Sequence, residues 1–336
     1  MSLSPSNPSF VDERNAILLA DLATTGGADQ TKIWRVFAHR GLGYFAGALS
    51  GDDTTPGASF ETPPSGDALG NLSGQVTDSY SGDPIEGATV TVAFGGSPFV
   101  TNPTVTTAAD GTYTMYAIPQ GTYPKVTVAA PGYDAQTFPL DLNQSTVTKS
   151  VALERDWAAG SGGATIDSFT GPNFNGCGPE KAIDQSTAIG WGSTSDLVNG
   201  APGPATAKYI VIKLPQPVDL DHVTLDPHAI CGDGTSASMG SYTIETSPDG
   251  TTYTTIASGT FVASDVGHTN TVPVIGPGTT NVQYVKVWNN APLVVVDNSP
   301  SSGSYPPDAC SATAGGYSGC TFLDLGEAGV YGLASP

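Results

Sequence analysis

The 336-residue sequence predicts a mainly β chain, in which two sandwiches follow a short helical segment. Composition gives the first reason: 42 Gly and 27 Pro make up about a fifth of the chain, against roughly 12% in average usage. No collagen-like three-residue period accompanies them. Short stretches that alternate apolar and polar residues, set apart by Gly, Asp and Ser, give the second. The third is that apolar residues at helical spacing are confined to residues 10–50. The charge balance narrows the function classes. Eleven Lys+Arg against 31 Asp+Glu leave a formal charge of −20, about half of it in residues 164–336. A chain this acidic offers no basic face to a phosphate backbone, so no nucleic-acid partner is expected. No run approaches the ~18 consecutive apolar residues of a membrane span. No apolar signal-peptide core follows Met1, and Met-Ser-Leu reads as a trimmed start.

Shifts in composition divide the chain into residues 1–53, a linker 54–67 (TTPGASFETPPSGD), 68–157, a second linker 158–163 (AAGSGG) and 164–336. Both linkers are rich in turn formers and poor in apolar residues. In the first part, Asp12-Glu13 opens a helix carrying Ile17, Leu18, Leu19 and Leu22, and Thr24-Thr25-Gly26-Gly27 stops it. Asp29 is expected to cap a second helix with Ile33, Trp34, Val36, Phe37 and Ala38. Gly41 or Gly43 would end it in a left-handed turn. Both helices are apolar around more than half their circumference, and such helices need neighbours on most sides. Two helices alone do not supply them, so this segment reads as part of a larger helical body.

The residues NAILLADLATTGGADQTKIWRVFAHRGLG (Asn15–Gly43) agree with that reading. Trp34, Phe37, Ala38, Arg40, Gly41, Leu42 and Gly43 fall in the order found at the end of the helical lobe in fungalysin-type secreted zinc metallopeptidases, which this segment resembles. A zinc peptidase of that type needs H-E-x-x-H, two histidines one helical turn apart with the Glu as general base. The four histidines are His39, His222, His228 and His268, and none stands in that arrangement. No catalytic residue is therefore assigned. The resemblance implies that zinc belongs only to an absent metallopeptidase catalytic domain, which becomes the expected partner of the helical segment.

From Gly70, valines alternate in Thr89-Val90-Thr91-Val92 and Lys125-Val126-Thr127-Val128, as a half-buried strand requires. Gly82, Gly87, Asp110-Gly111 and Gly121 punctuate the strands, while Tyr113 and Tyr123 are expected in the core with their hydroxyls at its rim. The run of Gly74, Val76, Asp78, Pro84, Ile85, Gly87, Ala88, Asp110, Gly111, Tyr113, Gly121, Tyr123, Gly132 and Tyr133 resembles the carboxypeptidase regulatory-like domain. That likeness implies a seven-stranded transthyretin-like sandwich without catalytic duty.

In the last part, PEKAIDQSTAIGWGS, KYIVIKLPQPVDLDHVTL, GSYTIETSPDGTTYTTIASGTF and VQYVKVW with FLDLGEAGVYG follow one another. These pieces resemble a discoidin or coagulation-factor C-type domain, the galactose-binding-like jelly-roll β-sandwich. The resemblance implies a calcium ion stapling the N-terminal loop to the final strand. Calcium takes six to eight oxygens at about 2.3–2.6 Å. By position, Asp184 and Glu327 would give carboxylates, and Lys181, Ser186 and Ile189 carbonyls. The sequence departs from the family in having Gln185 where Gly is usual and Ile189 where Thr or Ser is usual, so one hydroxyl oxygen is lost or replaced by water. Trp191 takes the family's core tryptophan position. Sugar sites of this fold stack aromatic rings on a pyranose and use Asn, His or Arg for hydroxyls. The candidates are His228, Trp288, Asn289, Asn290, Tyr305 and Tyr317. Arginine is absent after Arg155, which disfavours an anionic glycan or phosphate.

All four cysteines, Cys177, Cys231, Cys310 and Cys320, lie in this last part without C-x-x-C spacing, a pattern of disulfides and an extracellular address. Within the resembled frame the expected pairs are Cys177–Cys231 and Cys310–Cys320, one of three possible connectivities. The leading functional expectation is a non-catalytic C-terminal region of a secreted metallopeptidase that positions it on protein, glycan or cell-surface targets. An independent adhesin has no reason to keep helices with uncovered apolar faces. A free-standing hydrolase lacks G-x-S-x-G or any comparable context for a nucleophile.

Overall fold

The computed structural model describes residues 3–66, 68–95, 101–173, 175–194, 197–198, 201–202, 206–293 and 322–336. Two compact units result: Met1–Ala130 with Asp134–Leu153, and Pro131–Tyr133 with Glu154–Pro336. The helical segment, expected as a part of its own, shares the first unit with the first sandwich.

In α1 (Phe10–Thr25) the N-cap is Ser9, ahead of the predicted start. Its Oγ accepts the Asp12 amide at 3.2 Å, and Asp12 Oδ2 accepts the Ser9 amide at 2.8 Å. This reciprocal box satisfies two otherwise orphaned donors. Gly26, at φ +71°, ends the helix. Asp29 precedes α2 (Gln30–His39) but makes no side-chain cap, since its carboxylate pairs with Lys32 Nζ at 2.7 Å instead. Leu18, Trp34 and Ala38 turn inward, whereas Phe10 (77% exposed), Val36 (64%) and Ile17 (48%) stay uncovered.

Packing explains why the helices belong to this unit. The fully buried Arg14 donates through Nη1 to the carbonyls of Gly43 (2.6 Å) and Leu42 (3.1 Å), with its guanidinium 4.8 Å from the centre of Trp34. Burial lowers its pKa to about 10. From Trp34 the rings continue through Tyr44, Phe45 and Phe94 to Tyr123 in the sandwich, with neighbouring centroids 5.0–6.0 Å apart. Residues 54–67 were expected as a linker, but their start is tied down. Lys125 Nζ reaches both Asp53 oxygens at 2.7 and 2.8 Å and the Thr55 carbonyl at 3.0 Å.

The first sandwich has two sheets. One joins β1 (Leu69–Asp78) to β4 (Thr112–Pro119), β7 (Thr146–Thr148) and β8 (Val151–Leu153). The other runs β3 (Thr104–Thr106), β2 (Thr89–Val92), β5 (Gly121–Ala129), β6 (Gln136–Leu142). Because β7 and β8 are successive pieces along one edge of β1, both parallel to it, the eight segments make seven strand lines, as the resemblance implies. The alternating valines meet in register, Val90 opposite Val128 and Val92 opposite Val126, all with no exposed surface. Tyr113 and Tyr123 are buried, their hydroxyls donating to the carbonyls of Lys149 and Pro119. Burial raises the Tyr113 pKa to about 12.

The second unit is a sandwich organised by one long strand, β13 (Lys208–Asp226). Elements β9 (Thr165–Phe169), β10 (Trp191–Thr194), β11 (Leu197–Val198) and β12 (Ala201–Pro202) precede it. After it come β14 (Met239–Ser247), β15 (Thr254–Thr260), β16 (Asn270–Pro273), β17 (Val282–Pro292), β18 (Phe322–Leu325) and β19 (Glu327–Ala334). The first half of β13 pairs with β9 and β17, whose other neighbour is β14. Its second half pairs with β16 and β19. The register breaks between Lys213 and Val218, around Pro215 and Pro217, so one strand serves two sets of partners within a seven-stranded sheet. Trp191, Ile210, Ile212, Leu225, Ile244, Val285, Val287 and Val330 form the core between them.

Residues 158–163 do not form the expected linker. Ala158 and Ala159 are fully buried, and the preceding Trp157 donates through Nε1 to the Gly332 carbonyl at 3.0 Å. Asp156 Oδ1 accepts the amides of Ala158 and Val330, both at 2.8 Å. These small residues let the chain lie close against β19.

Candidate functional site

The expected calcium loop is brought to the start of β19. A 3-10 turn, Pro179–Ile183, delivers Asp184, and Gln185 follows at φ +60°. That left-handed conformation is one where Gly is at ease and a side chain is not. It accounts for the family's usual residue there, and it leaves Gln185 in need of support. Gln185 Nε2 donates to the Tyr133 carbonyl at 3.0 Å, and its Oε1 accepts from Ser161 Oγ at 2.7 Å. The Gln185 amide donates to Glu327 Oε1 at 3.1 Å, which joins the loop to the strand. Asp184 Oδ1 accepts the Ser186 amide at 3.1 Å, and its Oδ2 lies 3.3 Å from Lys181 Nζ.

The Glu327 carboxyl is the strained member. Its Oε2 is buried without a hydrogen-bond partner. Desolvation, with smaller contributions from Asp156 and Asp184, pushes its pKa up to about 9. A buried acidic oxygen beside a second carboxylate suits a hard cation. The residues present therefore fit calcium. Among the described residues no three acidic, His or Cys side chains converge, so such an ion would draw the rest of its shell from backbone carbonyls and water.

The ligand-binding candidates are not gathered into one site. Alternation along β17 places Trp288 and Asn289 on opposite faces. Asn289 is fully buried, and its Nδ2 donates to the Asp324 carbonyl at 3.0 Å, so it holds strands together and is not offered to a sugar. Trp288 is half-buried on the outer face, where Nε1 donates to Glu245 Oε2 at 2.9 Å. Tyr209 packs 4.7 Å from its ring, and Lys286 Nζ stands 4.5 Å from its centre. Its neighbours thus occupy much of the stacking surface. Asn290 Nδ2 donates to Thr243 Oγ1 at 2.9 Å. His228 is partly exposed just beyond β13, its amide donating to Asp226 Oδ1 at 3.1 Å. Tyr305, Tyr317, Cys310 and Cys320 lie outside the described residues. The expected Cys177–Cys231 bond is present, with Cα atoms 6.6 Å apart.

The structure adds a group that the sequence reading missed. Asp324 on β18 has no exposed surface. Its Oδ2 accepts the Ile230 amide at 3.1 Å, while its Oδ1 has no donor. Asp233, in the turn after Cys231, is close enough to Asp324 for the two carboxyls to interact electrostatically. Neither Asp233 oxygen meets an N–H or hydroxyl donor. Burial, then the neighbouring Asp233, drives the Asp324 pKa well up, and burial raises Asp233 to about 6. An acid in the middle of the apolar run Phe322-Leu323-Asp324-Leu325 was the available signal.

Residues 1–46 match the family model of the Fungalysin metallopeptidase (M36), 71–154 that of the Carboxypeptidase regulatory-like domain, and 165–301 that of the F5/8 type C domain. The Extracellular metalloproteinase MEP of Leptosphaeria maculans is 56% identical over 63 residues, which are 19% of this chain and 9% of that protein. Its namesake in Neosartorya fischeri is 60% identical over 43 residues, 13% of this chain and 7% of that protein. The chain thus spans less than a tenth of the length of either relative. Among solved structures, CBM32-3 from a family 31 glycoside hydrolase of Clostridium perfringens is 18% identical, covering 50% of this chain and 90% of its own, at a TM-score of 0.36. The family 32 CBM from C. perfringens NanJ, in complex with galactose, is 15% identical, with 50% and 93% covered and a TM-score of 0.33. In order, the chain carries a fungalysin-type segment, a carboxypeptidase regulatory-like domain and an F5/8 type C domain.

Proposed function

We propose that this chain is the non-catalytic C-terminal accessory region of a secreted zinc metallopeptidase, whose two sandwiches position the enzyme on a protein, glycan or cell-surface target. The observation that carries the reading is the fungalysin-type segment itself, with Phe10, Ile17 and Val36 uncovered on its helices. Large apolar side chains left exposed on short helices suit cover by a neighbouring helical lobe. The names of the relatives support an extracellular setting, and no described helix is long and apolar enough to cross a membrane. Depleting the source's culture fluid with an antibody against residues 164–336 is expected to remove chelator-sensitive casein cleavage, while the purified 336-residue chain cleaves nothing with or without zinc. Cleavage by the purified chain, or activity untouched by depletion, would overturn the proposal.

The same reading includes a calcium ion on Glu327 and Asp184, with the carbonyls of Lys181, Ser186 and Ile189 and with water. The ion would supply positive charge that fastens the loop to β19. A cation at a hundred times its dissociation constant stabilises the folded state by about 2.7 kcal/mol. Melting in calcium against chelator is therefore expected to raise Tm, and Glu327→Gln to remove that part of the rise. An identical calcium response in wild type and Glu327→Gln counts against this site.

A further inference from the structure

Asn-x-Ser/Thr is the acceptor sequence for N-linked glycans, provided that x is not proline. Four triplets in the chain have that spacing. Asn7-Pro8-Ser9 and Asn102-Pro103-Thr104 are disqualified by the central proline, which leaves Asn71-Leu72-Ser73 and Asn143-Gln144-Ser145. The fold treats these two differently.

Asn71 lies within β1, between β4 and β7, and is half-buried. Its Oδ1 accepts the Ala117 amide at 3.1 Å, beside the register shift between Gly70 and Leu72. Ala117 holds φ +56°, a conformation that its methyl group disfavours, so this hydrogen bond ties down a strained point of β4. The side chain of Asn71 is already engaged. Asn143 stands instead in the connection from β6 to β7, where Asn143, Gln144 and Ser145 are all exposed. The backbone of that connection is anchored to β1, because the Ser145 carbonyl accepts the Asn71 amide at 2.9 Å. Asn143 Nδ2 donates to the exposed Asp141 Oδ2 at 3.3 Å. An amide nitrogen that gains a sugar still keeps one N–H for such a bond.

We propose that Asn143 carries an N-linked glycan, a modification that rests on the secreted setting proposed above. The donor class is a lipid-diphosphate-linked oligosaccharide. Nδ2 attacks the anomeric carbon, the bond from that carbon to the diphosphate oxygen breaks, and the lipid diphosphate leaves with the electron pair. Nδ2 gives one proton to a base of the transferring enzyme, and Ser145 supplies the hydroxyl of the acceptor triplet. The position gives the glycan a use. β6 and β7 are end strands of the two sheets, and end strands present unpaired backbone groups to other chains. β7 is Thr146-Val147-Thr148, with no charge to repel an incoming strand. A hydrated oligosaccharide rooted between these two strands screens both edges against strand addition.

Trypsin separates the two acceptor triplets, because Asn143 falls in the peptide Val126–Lys149 and Asn71 in Gly41–Lys125. The protein is recovered from the culture fluid of its source and digested. Its amide-linked glycans are then released enzymatically in heavy-oxygen water, which turns a glycosylated Asn into labelled Asp. Nearly complete labelling at Asn143 is expected. Asn143→Gln and Ser145→Ala should each lower the intact mass by one glycan. Both alter exposed side chains, so the fold is kept, and circular dichroism checks this. Secreted protein without label at Asn143, or labelled at Asn71 alone, would overturn the site and leave the secreted reading standing. Protein retained inside the cells would overturn that reading and the site with it.

Discussion

Replacing Cys177 and Cys231 together by serine is expected to lower stability by about 4 kcal/mol, the chain-entropy value for a closed loop of this length. The two cysteines are 54 residues apart, and the bond between them limits how far the unfolded chain can expand. Urea melts of the oxidised wild type and the double variant check the value, and m should rise because more surface is exposed on unfolding. A loss below about 1 kcal/mol would mean that the loop is constrained by other means. The double variant is the cleaner choice, because a single change leaves a free thiol at the buried Cys177. Loss of the bond should also loosen the turn that carries Asp233, since Ile230 is next to Cys231 and donates to Asp324.

Trp191→Ala is expected to cost about 3–5 kcal/mol, as large-to-small changes at fully buried aromatic sites do. The indole has no exposed surface and lies within the cluster of Ile210, Ile212, Ile244, Val285 and Leu325. Its Nε1 donates to Asn173 Oδ1 at 2.9 Å, so the ring both fills the core and ties down the chain at Asn173. Trp191→Phe separates the two effects. It keeps an aromatic ring, removes the donor, and should cost nearer 1–3 kcal/mol. Equal losses for Ala and Phe would place the energy in the hydrogen bond. Chemical denaturation followed by tyrosine and residual tryptophan fluorescence gives both numbers.

The sandwiches were legible because burial imposes a two-residue period that survives in Thr89–Val92 and Lys125–Val128, and because Gly, Asp and Ser punctuate the strands. The Cys177–Cys231 bond and the core role of Trp191 could likewise be anticipated by position within the resembled domain. Other features depend on information that a linear pattern does not hold. Trp288 and Asn289 are both sugar-site candidates by residue type, but adjacent strand residues face opposite ways, and only the placement of the sheet decides which one meets solvent. Ala158–Gly163 read as a linker because its residues are small, yet smallness is also what allows a chain to pack tightly against a neighbour. The helix cap is present in the sequence as Ser9-Phe10-Val11-Asp12, a Ser with an acid three residues on, although the apolar run itself starts only after Asp12-Glu13. Asp233 and Asp324 stand far apart in sequence. Their meeting is created by the disulfide and the strand order together.

The double pairing of β13 bears on how readily the domain opens. Its first half is hydrogen-bonded to β9 and β17 and its second half to β16 and β19, with no chain end between them. Pulling either set of partners away strains the strand that the other set holds, so the two sets of pairings are coupled. Proteases attack segments that open locally. This coupling is expected to slow proteolytic cleavage within β13 relative to a strand held by one set of partners.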